Sequence, residues 1–478
     1  MNAQDPEHYS FIDAAQRALG DPAAVAQRDM LARVTPQLRE RAVAGFGEFE
    51  ALRQHLRRVR QHTLDNLDYY LPRFELEATH NGNRVHYAET ARDLNGIVLD
   101  ICREHGARRV AKGKSMVTEE TELTASLERE GLHVVETDLG EYIVQLAGEK
   151  PAHIVGPARH KSIAQIRELF LAAHKLGERK LERAEDLVAE ARQVMREHFL
   201  GAEVGIIGAN ALIAENGYSM LVTNEGNGDL CASLPKVLIV CTTLDRLLPR
   251  ATDAAALQRL LVRSATGQDQ TCYTSFYSGP RRAADADGPL ETHIVLLDNH
   301  RSDILDSDYR DMLQCIRCGA CLNHCPIFAA AGGHAYGSVY PGPMGSVLAP
   351  LLDSLETYAE LPNACTSCGR CEEVCPAAIP LPDLLRDLRH DQQRAGITPQ
   401  RWRRGMRLHA WLAGQPRLYH WLTARGIGLL NWLGRRRGAF RRLPFAGGWT
   451  GERDFPAPQR GTFMQQYRAL QREVPDDE

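Results

Sequence analysis

Twelve cysteines stand in the 478-residue chain. Eight of them fall in two runs of one pattern, CIRCGACLNHCP (315–326) and CTSCGRCEEVCP (365–376). Both read C-x2-C-x2-C-x3-C-P, without a gap or an insertion. In a compartment that keeps thiols reduced, cysteines at this density are more readily metal ligands than disulfides. Three thiolates at two-residue gaps can wrap a cuboidal iron–sulfur cluster and hold three of its irons. The fourth, followed by Pro, leaves the loop in a direction that suits a neighbouring cluster.

The spacing is that of bacterial-type ferredoxins, in which the fourth Cys ligates the other cluster. On that precedent one [4Fe–4S] cluster takes Cys315, Cys318, Cys321 and Cys375, and a second takes Cys365, Cys368, Cys371 and Cys325. A local set, with each motif serving its own cluster, is the alternative. Zinc fits less well, because it usually takes two C-x2-C pairs with a spacer rather than three cysteines in close succession. Four thiolates per cluster leave no iron with an open position, so the expected chemistry is one-electron transfer. Amides around Gly319 and Gly369 could donate to cluster sulfides and tune the potential, or the glycines serve only the tight loop. Arg317 and Arg370 put a positive charge inside each motif, either raising a cluster potential or simply solvated. Cys102, Cys231, Cys241 and Cys272 are scattered and read as structural, with Cys102 and Cys241 inside apolar runs. His324 and His334 read as packing or hydrogen-bonding residues, since the thiolates complete the ligand count.

The elements that must position these cysteines divide the chain into four parts. Residues 1–70 read as a helical region, charged and with apolar residues at three- and four-residue intervals. In FELEATHNGNRVHYAET the alternation and Asn81-Gly82 predict a hairpin. Residues 71–300 alternate short apolar runs with amphipathic stretches. The candidate strands are 108–116, 132–138, 152–157, 203–209, 218–224, 236–242 and 292–299. Alternation of this kind predicts an α/β domain with a mainly parallel sheet. Residues 301–390 are the expected α-helical, two-cluster, ferredoxin-like domain. Residues 391–478 form a basic, Trp-rich C-terminal region with helical character.

In open α/β folds ligands bind at the carboxyl ends of strands. Three loops are candidates: KGKSMVTEET, GANALIAENG and TNEGNGD. Lys112, Lys114 and Ser115 could hold an anion, Glu119, Glu120 or Glu215 could act as acid or base, and turns with Asn210 and Asn227 could cradle a carboxylate or phosphate. None matches a P-loop or GxGxxG fingerprint, and turn chemistry with surface ion pairs also accounts for these residue types.

Fourteen Arg, two Asp and no Lys give residues 386–442 a formal charge of +12, which leaves −16 on the remainder of a chain whose total is −4. Four of the five Trp lie in the same segment. Such a segment can lie at the inner face of a membrane, or dock on an acidic partner, or be solvated. Pro416, Gly426 and Gly428 predict that it breaks into short helices. No nucleic-acid motif is present, and nucleic acid is excluded as a partner on that ground and on the redox context. The chain starts without a basic n-region and apolar core, and no apolar run approaches the ~18 residues of a membrane span, so a cytoplasmic location is expected.

The chain closely resembles the lactate utilisation protein B family. The resemblance rests on AKGKSMVTEET (111–121), VVETDLGEYIVQLAGEKPAHIVGPARHK (134–161), GANALIAENGYSMLVTNEGN (208–227), LPKVLIV (234–240), HIVLLDNHRSDIL (293–305), the first cysteine motif and GGHAYGSVYPGP (332–343), all in this order. It implies a lactate-utilisation α/β domain related in fold to sugar-phosphate isomerases and CoA transferases. It also implies an iron–sulfur subunit that relays electrons from L-lactate oxidation, working with two companion proteins of the A and C types. An alternative keeps the clusters as an internal relay and lets the α/β domain itself bind or convert a hydroxy acid. The sequence departs from the family pattern at Ile207 and Asn216, where threonines are expected, so a ligand there would lack two hydroxyl donors.

Overall fold

Runs such as VLIVCTT are apolar at every position, so both of their faces must be covered, and a parallel sheet between two layers of helices does this. The computed structural model describes residues 9–444, 447–450, 453–458 and 461–473. The chain forms two compact units that divide after Gln392.

The first unit opens with helices α1 (Phe11–Leu19), α2 (Pro22–Ala44), α3 (Phe49–Asp65) and α4 (Leu67–His80). Ten strands follow: β1 (Arg84–Ala88), β2 (Arg109–Lys112), β3 (His133–Glu136), β4 (Val204–Ile207), β5 (Ala211–Ile213), β6 (Tyr218–Thr223), β7 (Val237–Thr243), β8 (Leu247–Leu248), β9 (Tyr273–Tyr277) and β10 (Glu291–Leu297). Six of them form a wholly parallel sheet in the order β1-β10-β7-β4-β2-β3. Its two faces are legible in β7. Val237, Ile239 and Cys241 pack with Leu94, Val98 and Leu127 on one side. Leu238 and Val240 pack with Phe74, Phe170 and Phe199 on the other. Fully burying one such side chain contributes about 1.5–3 kcal/mol, so the sheet is a firm platform for the loops at its ends. The fold is α/β, as expected, with a helical cysteine-bearing region after it.

Two strand expectations fail for physical reasons. FELEATH is not a hairpin arm but the last turns of α4. Phe74 and Ala78 sit four residues apart on one buried helix face while Leu76 is exposed, and Asn81 caps the helix. The run 152–157 is not a strand either. Its backbone folds on itself: the Ala152 amide donates to the Pro157 carbonyl, and the Val155 and Gly156 amides donate to His153 Nδ1. Ile154 and Val155 are apolar because they pack against the cysteine region. A second sheet, β8-β5-β6-β9, went unforeseen apart from β6. Its other strands are too short or too exposed to carry a pattern.

The second unit is described by itself. Helices Gln400–Ala413 and Pro416–Gly434 meet at a break before Pro416. Gly426 and Gly428 lie inside the second helix and do not break it. Trp402, Trp411, Trp421 and Trp432 are all exposed. Among the described residues no helix is long and apolar enough to cross a membrane.

Candidate functional site

The two cysteine motifs fold alike. Each first Cys follows a short 3-10 turn, and the residue two places on, Arg317 or Ser367, sits in the left-handed region at φ 56. Its amide donates back to the first sulfur, Arg317 N to Cys315 Sγ at 3.4 Å and Ser367 N to Cys365 Sγ at 3.2 Å. Gly319 (φ 75) and Gly369 (φ 78) then start one-turn helices, Ala320–Asn323 and Arg370–Glu373, that carry the third Cys. The motifs align Arg317 with Ser367 and Arg370 with Ala320, so the two arginines are not equivalent.

The helices lie against each other and leave two cavities. Cys315, Cys318, Cys321 and Cys375 line one of about 350 Å³, open solvent included. Cys325, Cys365, Cys368 and Cys371 line another of about 400 Å³, open solvent included. Each cavity thus takes three thiols from one motif and the fourth from the other. Burial pushes the Cys371 thiol up to about 12 and the Cys375 thiol up to about 11, with neighbouring sulfurs adding to it. Burial pushes Cys318 and Cys321 up as well. Amides work the other way: those of Ile327 and Phe328 donate toward Cys325, and those of Ile379 and Ala377 toward Cys375. Four crowded sulfurs, facing amide donors, fit a bound iron–sulfur cluster and have no other evident use.

Three arginines of the N-terminal helices hold the cysteine loops by their carbonyls. Arg39 donates to Val374 O at 2.8 Å, Arg53 to Cys375 O at 2.7 Å, and Arg60 to Leu313 O at 2.6 Å. Arg60 is fully buried, and burial followed by the nearby Arg246 lowers its pKa to about 10. From the α/β side Arg246 donates to Cys315 O at 2.9 Å. The sequence offered no single signal for these contacts, because the partners are carbonyls 69 to 335 residues away.

Of the candidate α/β residues, Lys114, Ser115, Asn210 and Asn227 line one cavity of about 1510 Å³, open mouth included, after β2, β4 and β6. All three candidate loops reach it. Ile207 lines it too, whereas Asn216 does not. Lys112 and Glu119 do not line it; they form a buried ion cluster with Glu136, Lys112 Nζ lying 2.8 Å from each partner. Burial works against the Lys112 ammonium, but Glu119, Glu136 and Glu141 outweigh it and raise its pKa. Glu120 is held by Arg301 at 2.7 Å and by Tyr340 Oη at 2.6 Å. Burial raises its pKa, and Arg301 more than reverses that. It is a fixed counter-charge rather than a mobile acid or base. Glu215 lies elsewhere, accepting from the Ala251 amide.

The remaining residues sort simply. Cys102, Cys231 and Cys241 are buried, and burial pushes each thiol up to about 12. Cys272 is exposed. His324 bonds to the Ala320 carbonyl through Nδ1, and His334 to the Lys150 carbonyl through Nε2.

The LUD domain family matches residues 71–297, and the 4Fe-4S dicluster domain family matches residues 311–379. The chain is 41% identical to "Lactate utilization protein B" of Bacillus velezensis, over 90% of both chains. It is 42% identical to the protein of that name from Macrococcus caseolyticus, over 91% of this chain and 92% of the relative. It is 40% identical to "Uncharacterized electron transport protein YkgF" of Escherichia coli K12, over 91% of both. A crystal structure of a DUF162 family protein from Deinococcus radiodurans aligns with 48% of this chain and 98% of its own, at 12% identity and a TM-score of 0.28.

Proposed function

This chain belongs to the lactate utilization protein B family, and from that premise we propose that it is the iron–sulfur electron-transfer subunit of an L-lactate-oxidising system. The observation that carries the reading is the pair of cavities, each walled by four thiols drawn from both motifs. On this reading Cys315, Cys318, Cys321 and Cys375 hold one [4Fe–4S] cluster, and Cys325, Cys365, Cys368 and Cys371 hold another. Such clusters, when bound, supply one-electron transfer. The chain's own residues set the conditions for it. Amides donate to the sulfurs, buried arginines place positive charge near the first set, and exposed Cys368 brings the second set to the surface. Oxidation of L-lactate to pyruvate releases two electrons, and two one-electron centres can take one each. In this proposal two companions, of the A and C types, complete the system, and the electrons pass on to a respiratory acceptor.

The second unit, with its excess of Arg and exposed Trp, supports peripheral contact with an anionic membrane surface at the cytoplasmic face. Salt-sensitive co-sedimentation with anionic vesicles, absent with neutral ones, is the expected result. Equal recovery with both would remove that part.

The test of the whole is an anaerobic EPR spectrum of the protein with its companions, before and after L-lactate, with D-lactate as control and dithionite to mark full reduction. A reduced-cluster signal after L-lactate alone is expected. A signal with dithionite but none with L-lactate would leave an iron–sulfur protein and remove the lactate relay.

A further inference from the structure

The large cavity after β2, β4 and β6 is distinct from the two cysteine cavities, yet it shares a wall with the first. Ile154, Ile316 and Arg317 line both. A molecule in it would sit one side-chain layer from Cys315 and Cys318. Carboxyl ends of strands are also where α/β folds bind their ligands.

Its polar groups are unevenly spent. Arg246 is buried in the floor, committed to Asp245 at 3.0 Å and to the Cys315 carbonyl. Arg317 lies over the Tyr340 ring and donates to Tyr340 Oη through Nη1, while its Nε is buried without a hydrogen-bond partner among the described residues. Lys114 Nζ donates to a neutral acceptor, the Val155 carbonyl, at 2.5 Å. Neither Lys114 nor Arg317 forms an ion pair among the described residues. A buried donor left without a partner carries a desolvation cost of about 1–3 kcal/mol, more when charged, and an anion would remove it. Beyond them lies an acidic pair. Asp138 and Glu225 line the same cavity, where Glu225 is exposed, accepts from the Leu139 amide and lies in the field of Lys114. The wall therefore offers two cations without an ion pair among the described residues, Lys114 on a carbonyl and Arg317 on the Tyr340 hydroxyl, and a carboxylate near Lys114.

We propose that this cavity binds a small 2-hydroxy- or 2-oxocarboxylate, with its carboxylate toward Arg317 and Arg246 and its C2 oxygen toward Lys114 and Glu225. Lys114 can donate to the C2 oxygen of either form, and Glu225 can accept from the hydroxyl of the 2-hydroxy form. The inference deepens the proposed lactate relay and takes its functional meaning from it, but the binding itself needs neither companion nor electron flow. The volume exceeds that of a three-carbon acid, so recognition lies in these groups rather than in enclosing walls.

Anaerobic isothermal titration of the full-length, cluster-loaded protein with L-lactate and with pyruvate tests it, with inorganic phosphate as a generic anion. Saturable binding of at least one of the two acids is expected, with phosphate at least tenfold weaker. Lys114→Gln should weaken the acid at least tenfold, Lys114→Arg should restore it to within a few-fold, and the iron content of both should match the parent. No saturable binding of either acid to the parent protein overturns the proposal, whatever the variants do. Binding that phosphate matches, or that a folded Lys114→Gln retains, overturns it too. The outcome is separable from the relay: binding here without cluster reduction in the complete system sinks the relay and keeps the cavity, and reduction without binding does the reverse.

Discussion

The two cysteine cavities come from one sequence pattern and share their local geometry, yet their surroundings differ. The first is set deep. Cys318, Cys321 and Cys375 are each under a tenth exposed, and buried Arg60 and Arg246 crowd the loop that carries Cys315. The second lies at the surface, with Cys368 exposed and Arg370 turned outward to Glu40 and Glu373. The motif sets the ligand frame, and the rest of the fold sets charge and access around it. On the proposed ligation the first cluster would have the higher potential and the second would be the one that meets a partner.

The comparison depends on crossed ligation, and the largest expected effect tests that. Cys318→Ser and Cys375→Ser should give the same spectrum, each leaving about four of about eight irons per chain. Cys368→Ser and Cys325→Ser should give the complementary one. Iron analysis with EPR of the dithionite-reduced variants reads this directly. If Cys375→Ser pairs instead with Cys368→Ser, each motif serves its own cluster and the asymmetry described here belongs to different sulfurs.

How far this was legible in the sequence follows from where each contact lies. The cysteine spacing is local, so the motifs and their shared turns were readable at once. The parallel sheet was readable because VLIVCTT and HIVLL are buried on both faces. The run AHIVGP misled for the same reason: it is apolar because it abuts the cysteine region, and composition does not tell that from a sheet. Glu120 looked like a candidate acid until its partner Arg301, 181 residues away, appeared beside it. The arginines at 39, 53 and 60 lie in a segment that reads only as charged and helical, and their carbonyl partners lie beyond any sequence pattern.

The next effect concerns the loops themselves. Gly319 and Gly369 share a positive φ, and any L side chain there costs roughly 1–2 kcal/mol. They differ in what a methyl group would meet. At Gly369 there is nothing within 4 Å, whereas at Gly319 the added carbon would lie 3.3 Å from both His153 and Val155 and 3.4 Å from Ile154. Gly369→Ala should therefore lose only the backbone term, and Gly319→Ala should lose about 1–3 kcal/mol more from crowding in a packed wall. Thermal unfolding of the cluster-loaded variants, followed by bleaching of the cluster absorbance, measures the order. Equal losses would mean that the deep cavity yields as easily as the exposed one, and the contrast in rigidity would go.

The smallest effect isolates charge from structure. Arg317 borders the first cavity, with its guanidinium 4.5 Å from the centre of the Tyr340 ring and without an ion pair among the described residues. Removing its charge as Arg317→Gln should destabilise the reduced form of the first cluster by ~1–2 kcal/mol at an effective dielectric near 20. For a one-electron couple that lowers its potential by about 40–90 mV. Arg370→Gln is the internal control, since that cation is already matched by Glu40 at 2.8 Å and Glu373 at 2.6 Å and is open to solvent. Its removal should move the second potential far less, because a screened and paired charge contributes little. Redox titration followed by EPR would resolve both. A shift in the first cluster alone would tie the asymmetry to charge placement. Equal shifts in the two variants would mean that burial has no say in how these arginines act, and the two cavities would differ in access alone.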